Sequence, residues 1–314
     1  MSKETMKALL SPAGTALTGR RKFLGNTLKL ASGFALLHHQ PSFAAEITSA
    51  MKKRLTVQEV INLILKEGKL EIFNGTVDTI KWGRADQIVT GIVTTMFATV
   101  GVIEEAARQN ANFIISHEPL FYNHKDDLSL VKNNSVVKHK QQLLDQHKIA
   151  VWRFHDYCHS LKPDPMMYSI VKKMNWLSYY QNGKPVVTIP PVPLLKLVND
   201  LKFALGIEHV RVIGDTGQSC KRLALLPGAW GGQRQLAIVE EEKPDVLIVG
   251  ELSEWETAEY IRDARAFGSQ TSLIILGHSV SEEPGMEWVA DWLSPKLKEI
   301  KVTHLASHDP FTWI

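Results

Sequence analysis

The 314-residue sequence is 44% hydrophobic and 22% charged, the balance of a globular chain with a sizeable core. Its formal charge of +3 comes from the N-terminus: residues 1–44 hold six of the 36 Lys and Arg residues and one of the 33 Asp and Glu residues, leaving 30 basic against 32 acidic residues. That near-neutral remainder gives no support to nucleic-acid binding, which needs a clustered basic face, and two cysteines exclude a disulfide framework or a zinc ribbon.

The first segment differs from the rest. Thr18-Gly19-Arg20-Arg21-Lys22-Phe23-Leu24 precedes a modestly apolar run, residues 25–37, interrupted by Lys29, and then Pro41-Ser42-Phe43-Ala44-Ala45. Paired arginines before a short apolar stretch and small residues at 42 and 44 predict a twin-arginine signal, residues 1–44, cleaved after Ala44. The expected location is periplasmic, with export in the folded state; the alternative is a surface helix of a cytosolic protein. Residues 45–53 read as a linker. No later run reaches the roughly 18 apolar residues of a membrane span, so no stable membrane insertion is expected after cleavage.

Thr56-Val57-Gln58-Glu59 has the pattern of a capping box opening a helix that stops near Gly68. Residues 87–97 predict a strand, 100–109 a helix, 112–116 a strand, 135–146 a helix and 148–154 a strand. Residues 163–176 and 193–205 are helical in pattern, with Pro190-Pro191 and Pro193 marking a break. A strand at 222–226 runs into Pro227-Gly228-Ala229-Trp230-Gly231-Gly232, a plain turn or an anion cradle. Helices and strands then alternate to Leu297, and a last strand, 302–307, closes the chain. Such alternation predicts an α/β protein of two related lobes, residues 54–185 and 186–314, with mixed sheets covered by helices.

Four apolar, strand-like runs end in groups able to hold a metal. Residues 112–116 lead into His117-Glu118, residues 149–154 into His155-Asp156-Tyr157-Cys158-His159, residues 245–249 into Gly250-Glu251, and residues 273–276 into Gly277-His278 with Glu282 beyond. Carboxyl ends of strands in an α/β sheet face one crevice, so these groups are expected to converge there on a metal site. Pro119 turns the chain after His117-Glu118, and His278 and Glu282 share a face if the segment is helical. Imidazole and carboxylate together suit Zn, Fe, Mn or Ni. Cys158 is either a further ligand or a buried inert thiol, and a bridge to Cys220 stays open. His124, His139, His147, His209 and His304 read as surface residues.

The run Ile114-Ile115-Ser116-His117-Glu118-Pro119-Leu120-Phe121, with Gly250-Glu251-Leu252-Ser253-Glu254 and Gly277-His278-Ser279-Val280-Ser281-Glu282 in that order, resembles the motifs of the Nif-three-like dinuclear-metal proteins, often labelled GTP cyclohydrolase 1 type 2 homologues. The resemblance covers roughly residues 54–314. It implies two α/β lobes, a pair of metal ions in the cleft between them and a toroidal hexamer. By position His117, His278 and Glu282 match metal ligands. Glu118 stands where the family usually has a second histidine, and His159 where it has an aspartate, with His155 four residues earlier. The implied ligand set is therefore His117, Glu118, His155, His159, His278 and Glu282, holding two divalent ions, Zn, Fe or Mn.

Two such ions bring more charge than two carboxylates cancel, which favours a small anionic substrate. Glu251 is then the candidate proton acceptor or ligand-orienting group. The leading functional expectation is hydrolysis of a phosphoester or related bond by metal-activated water, and the competing one is metal binding or delivery without turnover. The GTP cyclohydrolase label does not transfer, because likeness of fold and site does not determine a substrate.

Overall fold

The computed structural model describes residues 54–314; the expected signal and linker lie outside the described residues. Thr56 caps helix α1, Val57–Glu67, through the reciprocal bonds of the capping box, and Val57, Val60, Ile61 and Ile64 form its buried stripe. A short strand β1, Ile80–Trp82, follows, then β2, Gly91–Thr95, helix α2, Val100–Arg108, and β3, Phe113–Ser116. Helix α3, Ser135–Gln146, leads to β4, Ala150–Arg153, the short helix α4, Asp156–Ser160, and α5, Pro165–Lys173.

Every residue of β2, β3 and β4 is buried. These strands pair in parallel and are covered on both faces, which is why they read as unbroken apolar runs rather than as alternating ones. The period-2 geometry still divides them: Phe113 and Ile115 enter one core with α1, while Ile114 enters the opposite core with Ile103 of α2.

The second sheet begins with β5, Val186–Pro193, followed by α6, Leu194–Leu205, β6, Arg211–Ile213, β7, Ser219–Leu226, and α7, Gly232–Glu242. Strand β8, Val246–Val249, a π-helical turn, Glu254–Ala258, helix α8, Glu259–Ala266, and β9, Ser272–Ile275, complete it. Its order is β5-β7-β8-β9-β6, with the central three parallel and both edges antiparallel. The prolines at 190, 191 and 193 were expected to mark a break; they lie instead in edge strand β5, where the ladder shifts register between Thr188 and Val192. An edge tolerates residues without an amide hydrogen.

The chain then departs from the expected two-lobe partition. Helix α9, His278–Leu293, starts at the end of β9 but buries Met286, Val289 and Leu293 in the core of the first sheet. Strand β10, Lys301–His304, pairs in parallel with β2, giving the first sheet the order β1-β4-β3-β2-β10. The boundary 186–314 for a second lobe is therefore corrected: the C-terminal part of the chain returns to the first lobe, because the apolar face of α9 and the open edge of β2 are satisfied only there. Gly285 permits the crossing, since a Cβ at that position would stand 2.3 Å from Sδ of Met166 on α5.

Cys158 and Cys220 are free, buried thiols in the cores of different sheets, so the bridge left open by the sequence does not form. Among the described residues, no helix is long and apolar enough to cross a membrane.

Candidate metal centre

The strand ends deliver their side chains to one place. Beyond β3 the backbone continues in register for two residues, His117 N donating to Thr95 O and Glu118 N to Met96 O, while Ser116 Oγ bonds Met96 O and Glu118 O. This fixes a fully buried His117 beside Glu118, whose side chain is 12% exposed. Beyond β4, the buried Asp78 carboxylate accepts from the amides of His155, Asp156 and Tyr157 at 2.8, 3.1 and 2.7 Å. It thereby starts α4 and presents His155 and His159 one turn apart. The ring centroids of His117, His155 and His159 lie 4.7 to 5.1 Å from one another.

Where the chain leaves β9 of the second sheet, His278 and Glu282 stand in the opening turns of α9, Nε2 of the one lying 3.2 Å from Oε2 of the other. Their i, i+4 spacing aligns them on one face. His278 Nε2 is also 3.3 Å from Glu118 Oε1, so the two lobes meet at this pair. The Glu282 carboxylate fits because Gly228, at φ +73°, has no side chain: a Cβ there would lie 2.5 Å from that carboxylate. The Gly228 amide donates to Ser281 Oγ, so the glycine-rich loop acts here as a turn packed on the site, with that amide committed inward.

Each histidine of the cluster has its Nδ1 engaged by a separate acceptor. His117 Nδ1 is 3.1 Å from Phe154 O, His155 Nδ1 2.9 Å from Asp156, His159 Nδ1 3.1 Å from Asp164 and His278 Nδ1 3.2 Å from Glu251. Imidazoles that bind a metal through one nitrogen are commonly oriented through the other in this way. Nε2 of His117 is buried and makes no hydrogen bond, an expensive arrangement for a polar atom unless something else meets it, whereas Nε2 of His278 faces the carboxylates of Glu118 and Glu282. Two groups of three donors have atoms within 4.8 Å of one another, His117-His155-His159 and His117-Glu118-Glu282. A divalent cation fits this donor set.

The electrostatics agree. Burial holds the His117 ring well below the usual histidine range, leaving it neutral and able to donate a lone pair. Burial pushes His278 down, but three carboxylates, Glu118, Glu251 and Glu282, outweigh it and raise the ring to about 12. For His159 burial is likewise overcome, by Asp164, to about 8. Burial raises Glu118, yet His278 and the neighbouring imidazoles bring it down to about 2. Burial drives the Cys158 thiol well up, so it stays protonated in the core.

Several contributors were invisible in the sequence. Arg153, the last residue of β4 and 1% exposed, sends Nε to His117 O at 3.2 Å and Nη1 to His124 O. Its Nη2 lies 3.6 Å from Glu118 Oε2, so one Glu118 oxygen faces arginine and the other faces His278. Asp78 and Asp164 were also missed; Asp164 preceding Pro165 has the pattern of a helix cap, and the same carboxylate that caps α5 orients His159. Glu251 is brought to the site, but through His278: one oxygen holds Nδ1 while the half-exposed side chain borders an adjoining cavity. His304, expected at the surface, is largely enclosed between Thr94 and Glu283, at 3.2 and 3.0 Å.

Residues 55–310 match the profile of Duf34/NIF3 (NGG1p interacting factor 3). The chain belongs to this family. Two relatives share its motif-bearing region, both described as GTP cyclohydrolase 1 type 2 homologs. The Clostridium perfringens protein is 22% identical over 83% of this chain and 100% of its own length; the Escherichia coli K12 protein is 25% identical over 71% and 87%. The fold is similar to Staphylococcus aureus protein SA1388, with a TM-score of 0.65 at 20% identity over 83% of this chain and 99% of that one. It is also similar to a Bacillus cereus protein related to NIF3, with a TM-score of 0.65 at 13% identity over 84% and 100%. The NIF3 fold and the His/Glu cluster thus occur together in this chain.

Proposed function

We propose that this NIF3 protein binds two divalent cations in the cleft and hydrolyses a small anionic ester there. The observation that carries this is the buried, unbonded Nε2 of His117, in a ring whose Nδ1 is already held, at the shared corner of two groups of converging donors. One imidazole nitrogen serves one ion. With His117 joined to His155 and His159 in a three-nitrogen set, Glu118, Glu282 and His278 remain as a second set with two carboxylates.

Bound cations would supply Lewis acidity that acidifies water and steadies charge on a displaced oxygen. The protein's own part is orientation and proton transfer. Arg153 faces one oxygen of Glu118 while His278 keeps that carboxylate ionised, and Gly228 leaves room for Glu282. Glu251 positions His278 with one oxygen, and its other oxygen accepts the proton lost by the attacking water and returns it to the leaving group. Burial of His117 keeps bulk water from that donor, while the partly exposed His155 and His159 leave the site open to substrate water.

The test is elemental analysis of purified protein followed by a screen against phosphoesters and amides, for the native chain and for His278→Ala. Two ions per chain, turnover that needs them, and loss of both in His278→Ala are expected. Turnover that survives removal of metal would overturn the hydrolase assignment, and bound metal without turnover would replace it with metal binding or delivery. Export by the twin-arginine route and assembly into a hexamer belong to the same proposal. They are checked by N-terminal sequencing of periplasmic protein, expected to begin at Ala45, and by light scattering, expected to give six chains.

A further inference from the structure

The metal donors border two cavities that differ in size and in charged lining. On the side of His159 and Glu282 a cavity of about 120 Å³ carries the cations Lys184 and Arg234. On the side of Glu118, Glu251 and His278 lies a cavity of about 520 Å³ walled by Phe97, Val100, Pro119 and Tyr122 of the first lobe and, across from them, Ala229 and Pro310. Its size is that of a small-molecule pocket, and its walls are mainly apolar with polar groups at the metal end.

The wall is already organised. Phe97 packs edge-on to the His278 ring, with centroids 5.4 Å apart. The loop bearing Pro119 and Tyr122 is fixed at several points: Phe121 N donates to Asp126 Oδ1 at 2.7 Å, Asn123 Nδ2 to Phe121 O and Asp127 O at 3.1 Å, and Lys140 Nζ to Leu120 O at 2.8 Å. Tyr122 itself sits at φ +62°, a left-handed conformation unusual for an aromatic residue, which throws its ring to the exposed side of the loop. Such strain persists only where its surroundings enforce it.

Charge decides what such a cavity accepts. Among the described residues Lys140 is the only lysine or arginine lining it; it is 4% exposed, its ammonium is committed to Leu120 O, and it lies 5.1 Å from the Tyr122 ring centroid. Burial brings it down to about 8, so it carries only part of a charge at mildly alkaline pH. Beyond the metal end and His278, a polyphosphate chain would meet the carboxylate of Glu251 with no free lysine or arginine to offset it. An aryl or alkyl group would meet Phe97, Val100 and Tyr122.

Resting on the metal centre proposed above, we propose that the larger cavity selects substrates with a single anionic head and an apolar, preferably aromatic body, such as aryl phosphate monoesters, rather than polyphosphates. The head lies at the metal end beside Glu118 and His278, and the body lies against Phe97, Val100 and Tyr122.

The test uses the full chain loaded with zinc and three non-hydrolysing or slowly hydrolysing probes, methylphosphonate, phenylphosphonate and inorganic pyrophosphate, titrated by calorimetry. Burying the phenyl ring should make phenylphosphonate bind at least about tenfold tighter than methylphosphonate, and tighter than pyrophosphate. Val100→Asp places a charge on the wall at the first residue of α2, where a helix accepts an acid. It should erase the phenyl preference while elemental analysis shows unchanged zinc. Equal binding of the two phosphonates, tighter binding of pyrophosphate, or a phenyl preference that survives in Val100→Asp would each overturn the inference. Zinc content is measured before any probe is added. A chain that takes up no zinc overturns the metal centre and this inference together, whereas a zinc-loaded chain without phenyl preference overturns only the latter.

Discussion

The first lobe and the second lobe deliver donors to the same cleft by different physical means. In the first, His117, Glu118, His155 and His159 are held by charged groups, two of them buried: Arg153 on Glu118 and two carbonyls, Asp78 on three amides, and the partly exposed Asp164 on the His159 ring. At the second, where α9 leaves β9 to return to the first sheet, His278 and Glu282 are placed by helical spacing and by an absent side chain at Gly228. Buried ionic groups tolerate loss of a partner poorly, because the survivor is left charged in a low-dielectric interior. A helix start cleared by glycine fails instead by steric collision. The lobes should therefore break differently.

The largest expected effect is at His117, the residue common to both donor groups. His117→Ala should lose at least one of the two ions proposed per chain, and its folding should suffer by about 2–4 kcal/mol because the buried ring leaves a cavity and an unpaired Phe154 O. Elemental analysis with a thermal melt checks both halves; retention of both ions would remove His117 from the centre. Next comes Arg153→Met, which strands the Glu118 charge and weakens a link to Asp126. Its cost should be about 3–5 kcal/mol in stability and roughly 10–100-fold in metal affinity. Adding Glu118→His, which carries no fixed charge, should recover much of the metal affinity; no recovery would mean that Arg153 acts on packing alone.

Gly228→Ala tests the second lobe. A side chain at φ +73° and 2.5 Å from the Glu282 carboxylate should cost about 1–3 kcal/mol and displace Glu282. The metal lost should be that of the Glu118-Glu282-His278 set, leaving the three-histidine set loaded. Equal loss from both would show that the two sets act as one unit.

The smallest effect sharpens the same contrast through protons. At pH 7 the metal-free protein holds a proton on His278, raised to about 12, and on His159, raised to about 8, while His117 is neutral. A cation can take those Nε2 atoms only as the protons leave, so metal uptake releases protons and strengthens as pH rises. The His159 contribution flattens above about pH 8, whereas that of His278 persists. Calorimetry of zinc binding in buffers of different ionisation enthalpy checks this, and zinc uptake without proton release would contradict the protonation of both rings.

Much of this arrangement was legible in the chain. The helix expected at 135–146 coincides with α3, Ser135–Gln146, and the buried parallel strands announced themselves as continuous apolar runs ending in His, Glu or Gly-His. Those endings were enough to point at one crevice. What stayed hidden were partners far away in sequence, such as Asp78 capping α4 across 77 to 79 positions, and Arg153, which ends an apolar strand and looks like a solvated boundary residue. Three-residue strands β1 and β6 also escaped, being too short to show a period.

By itself the sequence determined which segments form strands and helices and which side chains stand at their ends, because periodicity, caps and glycines act over a few residues. Only the tertiary structure decided that α9 and β10 return to the first sheet, that Glu118 shares its two oxygens between Arg153 and His278, and that His117 belongs to two overlapping donor groups. Those outcomes depend on burial and charge pairing between residues brought together from distant parts of the chain, and local pattern carries no record of them.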